Sequence, residues 1–255
     1  MNTAIVTGAN GFVGSALVRE LLGHDYRVYA IGRKGHLENI PSDSRVSFIP
    51  VELSQIRTLS SKLPEQPYDI FFHLAWSGSA GPARADTVLQ LQNAQWTVDV
   101  LYAAAELNCK RVLCAGSITE HEAIAAAYAQ GNRPGMGYIY GAGKVAAHMM
   151  CMSVAAQSGI DLIWPEITNA YGPGERSPRV VNTAIQKCLR GEAPQFTSGT
   201  QNYDFVYIDD VARAFRLIGE YGKPFHEYSI GSSTARPPKE SLLGMQNEIA
   251  PELEF

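Results

Sequence analysis

Apolar positions in the first two thirds of the chain follow two alternating patterns, short unbroken runs and longer stretches with apolar residues three and four apart. The runs Thr3–Val6, Arg27–Ile31, Val46–Val51, Asp69–Ala75, Arg111–Gly116 and Asp161–Trp164 read as strands. Ala16, Leu17, Val18, Leu21 and Leu22 have helical spacing, and longer helical stretches cover 86–107 and 137–158. Gly-, Ser-, Ala- and Pro-rich segments at 76–85 and 131–137 read as loops. Strand and helix in strict alternation predict an α/β fold with a parallel, doubly wound sheet, whose ligands sit beyond the strands' carboxyl ends. Gly8, Arg33, Ala75 and Ser117 all fall at those ends.

Bulk properties narrow the picture. With 255 residues and 45% hydrophobic content the chain can bury a large core. We expect a dinucleotide-binding domain over 1–167 and a small substrate-binding portion over 168–255, interleaved with the last sheet strands. A net charge of -4 without a basic block argues against a nucleic-acid surface. Cys109, Cys114, Cys151 and Cys188 show no Cys-x-x-Cys spacing and read as buried free thiols, which suits the cytoplasm. No stretch approaches a membrane span and no leader precedes the first strand, so a soluble protein without membrane partners is expected. His73 is apolar on both sides and reads as a packed strand histidine, and no metal is expected.

The first strand runs into Gly8-Ala9-Asn10-Gly11-Phe12-Val13-Gly14 and then into a helix. Gly8 suits the tight turn, Gly11 lets backbone approach a pyrophosphate, and Gly14 lets the helix lie on the sheet. The helix start would present free N–H groups and a positive dipole end to phosphates. This Gly-x-x-Gly-x-x-Gly spacing resembles the short-chain dehydrogenase/reductase superfamily, which implies a Rossmann fold and a nicotinamide cofactor. Where NAD-using relatives carry Asp after the second strand this chain has Gly32, followed by Arg33 and Lys34. The expected cofactor is therefore NADP, with NAD as second choice. Glu52-Leu53 resembles the family's adenine-contacting Asp-Leu, Leu74-Ala75 its segment beside the cofactor, and Asn93 an asparagine that braces the sheet near the site.

Tyr140 and Lys144 are four residues apart, on one face of a helix, as in the Tyr-x-x-x-Lys of that superfamily. Ser117 lies 23 residues earlier, at the end of the fifth strand. A free phenol titrates near 10 and is a sluggish base at pH 7, so its anion needs a cation. Lys144 and the nicotinamide are expected to supply it, with Lys144 also holding the nicotinamide ribose and Ser117 polarising the substrate oxygen.

Two later segments make the resemblance specific. Asn169-Ala170-Tyr171-Gly172-Pro173-Gly174 is similar to the Asn-Val-Tyr-Gly-Pro-Gly of the extended branch, the nucleotide-sugar epimerases and dehydratases. Tyr203-Asp204-Phe205-Val206-Tyr207-Ile208-Asp209-Asp210-Val211-Ala212 is similar to its Arg-Asp-Phe-Val-Tyr-Val-Asp-Asp-Val-Ala. The resemblance implies a nucleotide-sugar epimerase or 4-ketoreductase with Ser117, Thr119, Asn169, Arg179 and Tyr203 around the substrate. It also implies a homodimer through helices 86–107 and 137–158, with Ala142, Gly143, Ala146 and Ala147 permitting close approach. Departures matter: Glu166 and Tyr203 stand where the branch carries arginines, and the chain ends at Phe255, before the usual tail. A diphosphate must then rely on Arg176, Arg179 or Lys187. A reductase of some non-nucleotide carbonyl and a cofactor-binding regulator without turnover are the alternatives. Dehydratases carry adjacent Asp and Glu after the strand-five serine or threonine. Here those places hold Ile118 and Thr119, with Glu120 one residue too late, so no elimination of water is expected.

Overall fold

The computed structural model describes residues 1–195 and 202–253. Its strands in chain order are β1 (Asn2–Thr7), β2 (Tyr26–Gly32), β3 (Val46–Pro50), β4 (Ile70–His73), β5 (Arg111–Cys114), the short β6 (Gly116–Ser117), β7 (Asp161–Ile167), β8 (Asn169–Tyr171), β9 (Phe205–Tyr207) and β10 (Glu227–Ile230). The main sheet is parallel throughout, in the order β3-β2-β1-β4-β5-β7-β10, with β6 pairing β7. The strand order reverses between β1 and β4, the crevice where doubly wound sheets bind ligands.

Unbroken apolar runs are needed because both sheet faces are covered. Ile5, Phe71, Val112 and Leu162 face a layer formed by α2 (Thr87–Glu106) and α4 (Tyr138–Ser158). Their neighbours Val6, Phe72, Leu113 and Ile163 face α1 (Phe12–Gly23) and α6 (Ile208–Tyr221). Helix limits follow local chemistry. Asp86 caps α2 by accepting the Leu89 N–H at 3.0 Å, and Gly159, at φ 65°, ends α4 in the left-handed region.

One helix escaped the apolar pattern. α3 (Thr119–Tyr128) is alanine-rich with only one buried residue, Glu120, so propensity and not an apolar stripe forms it. After residue 167, α6 and β10 rejoin the main layers. The parallel pair β8 and β9, α5 (Val180–Cys188) and α7 (Pro238–Ile249) make up the rest of that portion. Gly143 and Ala147 do not face outward: they are buried, and a Cβ on Gly143 would meet Gln90 of α2 at 3.0 Å. These small residues let α4 approach α2 within the chain. Among the described residues no helix is long and apolar enough to cross a membrane.

Candidate active site

A cleft of about 330 Å³ opens at the carboxyl ends of β1, β2 and β4. Gly8 has φ 68°, and a Cβ on Gly14 would stand 2.0 Å from the Gly8 carbonyl oxygen, so α1 can start this close only on glycine. Gly11, Phe12 and Val13 line the same wall, so the cradle fits a dinucleotide. Asn10 also lines it, but its amide donates to the carbonyls of Arg33 and Gly35. Gly32 makes room for that amide, since a Cβ there would meet Asn10 Oδ1 at 2.4 Å. Arg33, Glu52, Leu53, Leu74 and Ala75 line the cleft, whereas Lys34 is exposed outside its lining. Asn93 does not line it either. It is buried, accepting the Ser77 N–H at 2.8 Å and donating to the Ser77 carbonyl at 2.8 Å, so it braces a lining residue from behind.

Lys144 is buried beside this cleft. Its ammonium donates to the Ala115 carbonyl at 2.7 Å and lies 3.8 Å from the centre of the Trp76 ring. Burial pulls its pKa down to about 8, against the opposing pull of Glu120. Tyr140 is also buried, and burial holds its phenol above the usual 10. A cation lies over its ring: Arg84, with its guanidinium 4.2 Å from the ring centre. Arg84 and the Ser117 hydroxyl pull the phenol back down. Trp76, edge-on to Tyr140 at 6.0 Å, and Arg84 were missed because their Gly-Ser-Ala-Pro loop carries no motif.

A lysine whose folded pKa lies below its unfolded value of 10.5 destabilises the protein below about pH 8, where it is charged in both states. The penalty lifts between about 8 and 10.5 as the native state alone sheds the proton. Lys144→Met is therefore expected to unfold at higher temperature at pH 7, by up to about 3 kcal/mol, less the cost of an unpaired Ala115 carbonyl. Thermal melts should show the gap to wild type closing as pH rises through that window. A gap to wild type that does not change across that pH window would refute the assignment.

A second cavity of about 240 Å³ adjoins the cleft, and Glu175 and Arg179 line both. It collects Ser117, Thr119, Tyr140, Asn169 and Tyr203. Thr119 donates its hydroxyl to Ser117 Oγ at 3.0 Å, and Asn169 donates to the Asp204 carbonyl at 3.3 Å. Tyr203 stacks on Phe205 at 5.7 Å. Of the cations considered for a diphosphate, only Arg179 reaches this cavity; Arg176 is drawn to Glu38 at 3.1 Å, and Lys187 lines neither space. Among the described residues two buried polar atoms, Thr168 Oγ1 and Glu175 Oε2, have no partner, and both residues line the cavity. Such orphans mark places where a ligand or water completes the hydrogen bonding.

His73 is a packed strand histidine, between the Thr7 hydroxyl at 2.8 Å and the Thr97 hydroxyl at 3.3 Å, with burial pushing it down to about 3. The four cysteines are free and buried. Glu120 turns away from the cavity, where its carboxylate accepts the Ser117 N–H at 2.8 Å and the Trp164 indole N–H at 3.2 Å.

The family model described as the NAD dependent epimerase/dehydratase family matches residues 4–231. A trifunctional UDP-glucose 4,6-dehydratase/UDP-4-keto-6-deoxy-D-glucose 3,5-epimerase/UDP-4-keto-L-rhamnose-reductase of Arabidopsis thaliana is 22% identical over 96% of this chain, which spans only 39% of that protein. A UDP-glucose 4-epimerase of Mycolicibacterium smegmatis is 26% identical over 92% of this chain and 79% of its own length. Among solved structures, the Bordetella bronchiseptica enzyme WbmF in complex with NAD+ superposes with a TM-score of 0.83 at 22% identity, covering 100% of this chain and 80% of that one. It shares the fold, with the same parallel Rossmann architecture. With the glycine cradle, the Tyr140 and Lys144 helix and the matched span in agreement, the chain belongs to the NAD dependent epimerase/dehydratase family.

Proposed function

We propose that the chain oxidises and reduces a single carbon of a nucleotide sugar, as an epimerase or a 4-ketoreductase, with Tyr140 as acid and base. The observation that carries this reading is the shared wall of the two cavities. Ser117 and Tyr140 line the second, Lys144 sits against Trp76 of the first, and Arg179 and Glu175 belong to both. A bound nicotinamide dinucleotide supplies the hydride donor and acceptor. Ser117 Oγ and Tyr140 Oη hold the reacting oxygen. Tyr140 takes the hydroxyl proton on oxidation and returns one on reduction. The Lys144 ammonium, its pKa lowered to about 8 and so still mostly charged at pH 7, holds the ribose and favours the phenolate.

The lost arginines weigh less than the sequence alone suggests. Glu166 is buried and paired with His121, away from the cavity, so only Tyr203 changes its lining. Arg84 and Arg179 supply two guanidiniums there, suited to a diphosphate. Relatives named for UDP-sugar conversions support the substrate class. A thermal-shift panel of nucleotide sugars with and without NADPH tests it, because a ligand bound only by the native state raises the melting temperature. No shift with any nucleotide sugar, but one with another carbonyl compound, would favour the non-nucleotide reductase.

Cofactor choice follows from the end of β2. An acidic residue cannot replace Gly32 without displacing Asn10, and Arg33 lines the cleft where a 2′-phosphate would stand. NADPH is expected to bind at least about tenfold more tightly than NADH, roughly 1.4 kcal/mol, with Arg33→Ala removing most of the difference. Equal affinities by calorimetry would refute it.

The reading extends to assembly as a homodimer through α2 and α4. Val88 and Leu91 of α2 and Met149 and Met150 of α4 are exposed apolar side chains on these helices. Sedimentation at micromolar concentration is expected to give a dimer, and Leu91→Glu to weaken it. A wild-type monomer would exclude it.

A further inference from the structure

At the β7–β10 edge of the sheet, away from both cavities, four elements bring together acidic and imidazole side chains that no step above uses. His121 of α3, Glu166 of β7 and Glu227 of β10 each place a ligand atom within 4.8 Å of the other two. His121 Nε2 stands 2.7 Å from Glu166 Oε2. From α4, His148 points Nε2 at Glu227 Oε1, 3.7 Å away. Its ring is fixed by stacking on Trp164 at 4.3 Å and by a hydrogen bond from Nδ1 to Glu120 Oε2 at 3.2 Å.

Two features of this cluster call for a cation. The first is charge: three carboxylates meet here, Glu120 and Glu166 are buried, and among the described residues their ion-pair partners are histidines alone. The second is geometry: with its ring held by Trp164 and Glu120, His148 aims Nε2 at a Glu227 carboxylate oxygen 3.7 Å away, beyond direct hydrogen-bond reach. A cation beside them would bridge that gap between nitrogen and oxygen.

We propose that His121, Glu166 and Glu227 form a binding site for a divalent transition metal of the zinc type, with His148 as a fourth donor beside Glu227. Donors on one tetrahedral zinc ion lie about 3.4 Å apart at bond lengths near 2.1 Å. The present separations reach that by small movements of His121 and Glu227, whose side chains are 56% and 55% exposed. Glu166 stays fixed on β7, and Glu120 orients His148 as carboxylates orient metal-bound histidines. Mixed imidazole and carboxylate donors suit zinc over magnesium, which demands octahedral oxygen.

The test is calorimetric titration of the chelator-treated full chain with ZnCl2 and with MgCl2. One zinc per chain is expected, with no comparable magnesium binding. His121→Ala and Glu227→Gln, both at exposed positions that spare the fold, are each expected to weaken zinc binding at least tenfold. His226→Ala, one residue before Glu227 in sequence, is expected to leave it unchanged. Absence of saturable zinc binding, equal binding by wild type and both site variants, or equal loss in His226→Ala would overturn the proposal.

Discussion

Tyr140→Phe is expected to lower turnover by about 10²- to 10⁴-fold while changing NADPH affinity little, because it removes one ionisable oxygen and keeps the buried ring. The ring is the structural part. It packs edge-on to Trp76 and carries the Arg84 guanidinium at 4.2 Å, contacts that phenylalanine retains. The oxygen is the chemical part. In the protein alone burial holds it above its ordinary pKa, and Arg84 and Ser117 work against that burial. Turnover limited by phenolate should therefore rise with pH, and Arg84→Met should move that rise to higher pH by removing the largest lowering influence. The measurement is kcat against pH for wild type and Arg84→Met, with calorimetric NADPH affinities for Tyr140→Phe. A phenylalanine variant that turns over near the normal rate would end the acid/base assignment, and one that loses NADPH instead would make Tyr140 a binding residue.

What the sequence made legible was whatever repeats a short-range rule. Strands buried on two faces read as unbroken apolar runs, and the Gly8, Gly11 and Gly14 turn reads from spacing alone because sterics permit nothing else. Tyr140 and Lys144 were legible for the same reason, as one helix face. What stayed hidden depends on contacts far apart in sequence. Arg84 reaches Tyr140 from a loop with no motif, 56 residues before it, and Glu175 reaches both cavities from a turn chosen for its glycines. Asn93, expected to brace the sheet near the site, holds the Ser77 backbone behind the cleft and does not line it. Glu166 reads in sequence as a charge lost from a phosphate site, while its side chain points to His121.

No removal of water from carbon 5 and carbon 6 of a hexose is expected of the proposed site, although dehydratases stand among the relatives. That reaction needs a base for the carbon 5 proton and an acid for the departing hydroxyl, beyond hydride exchange. Directly after Ser117 the cavity is lined by Ile118 and Thr119, neither able to exchange a proton near pH 7. Glu120 begins to turn with α3, and its carboxylate is buried against the Ser117 N–H, the Trp164 indole and His148. Glu175 is the one carboxylate among the described residues lining the cavity, where the branch's dehydratases are expected to use an adjacent Asp and Glu pair. Each missing proton-transfer catalyst is worth about 10²- to 10⁴-fold, so their joint loss should cost several orders of magnitude. Incubation with NADP or NAD and nucleoside-diphosphate hexoses is therefore expected to give products of unchanged mass or differing by two hydrogens, and none lighter by one water. Mass spectrometry reads this directly. A dehydrated product formed at steady turnover and lost in Glu175→Gln would make that single carboxylate the catalyst and overturn the reading of a hydride-only site.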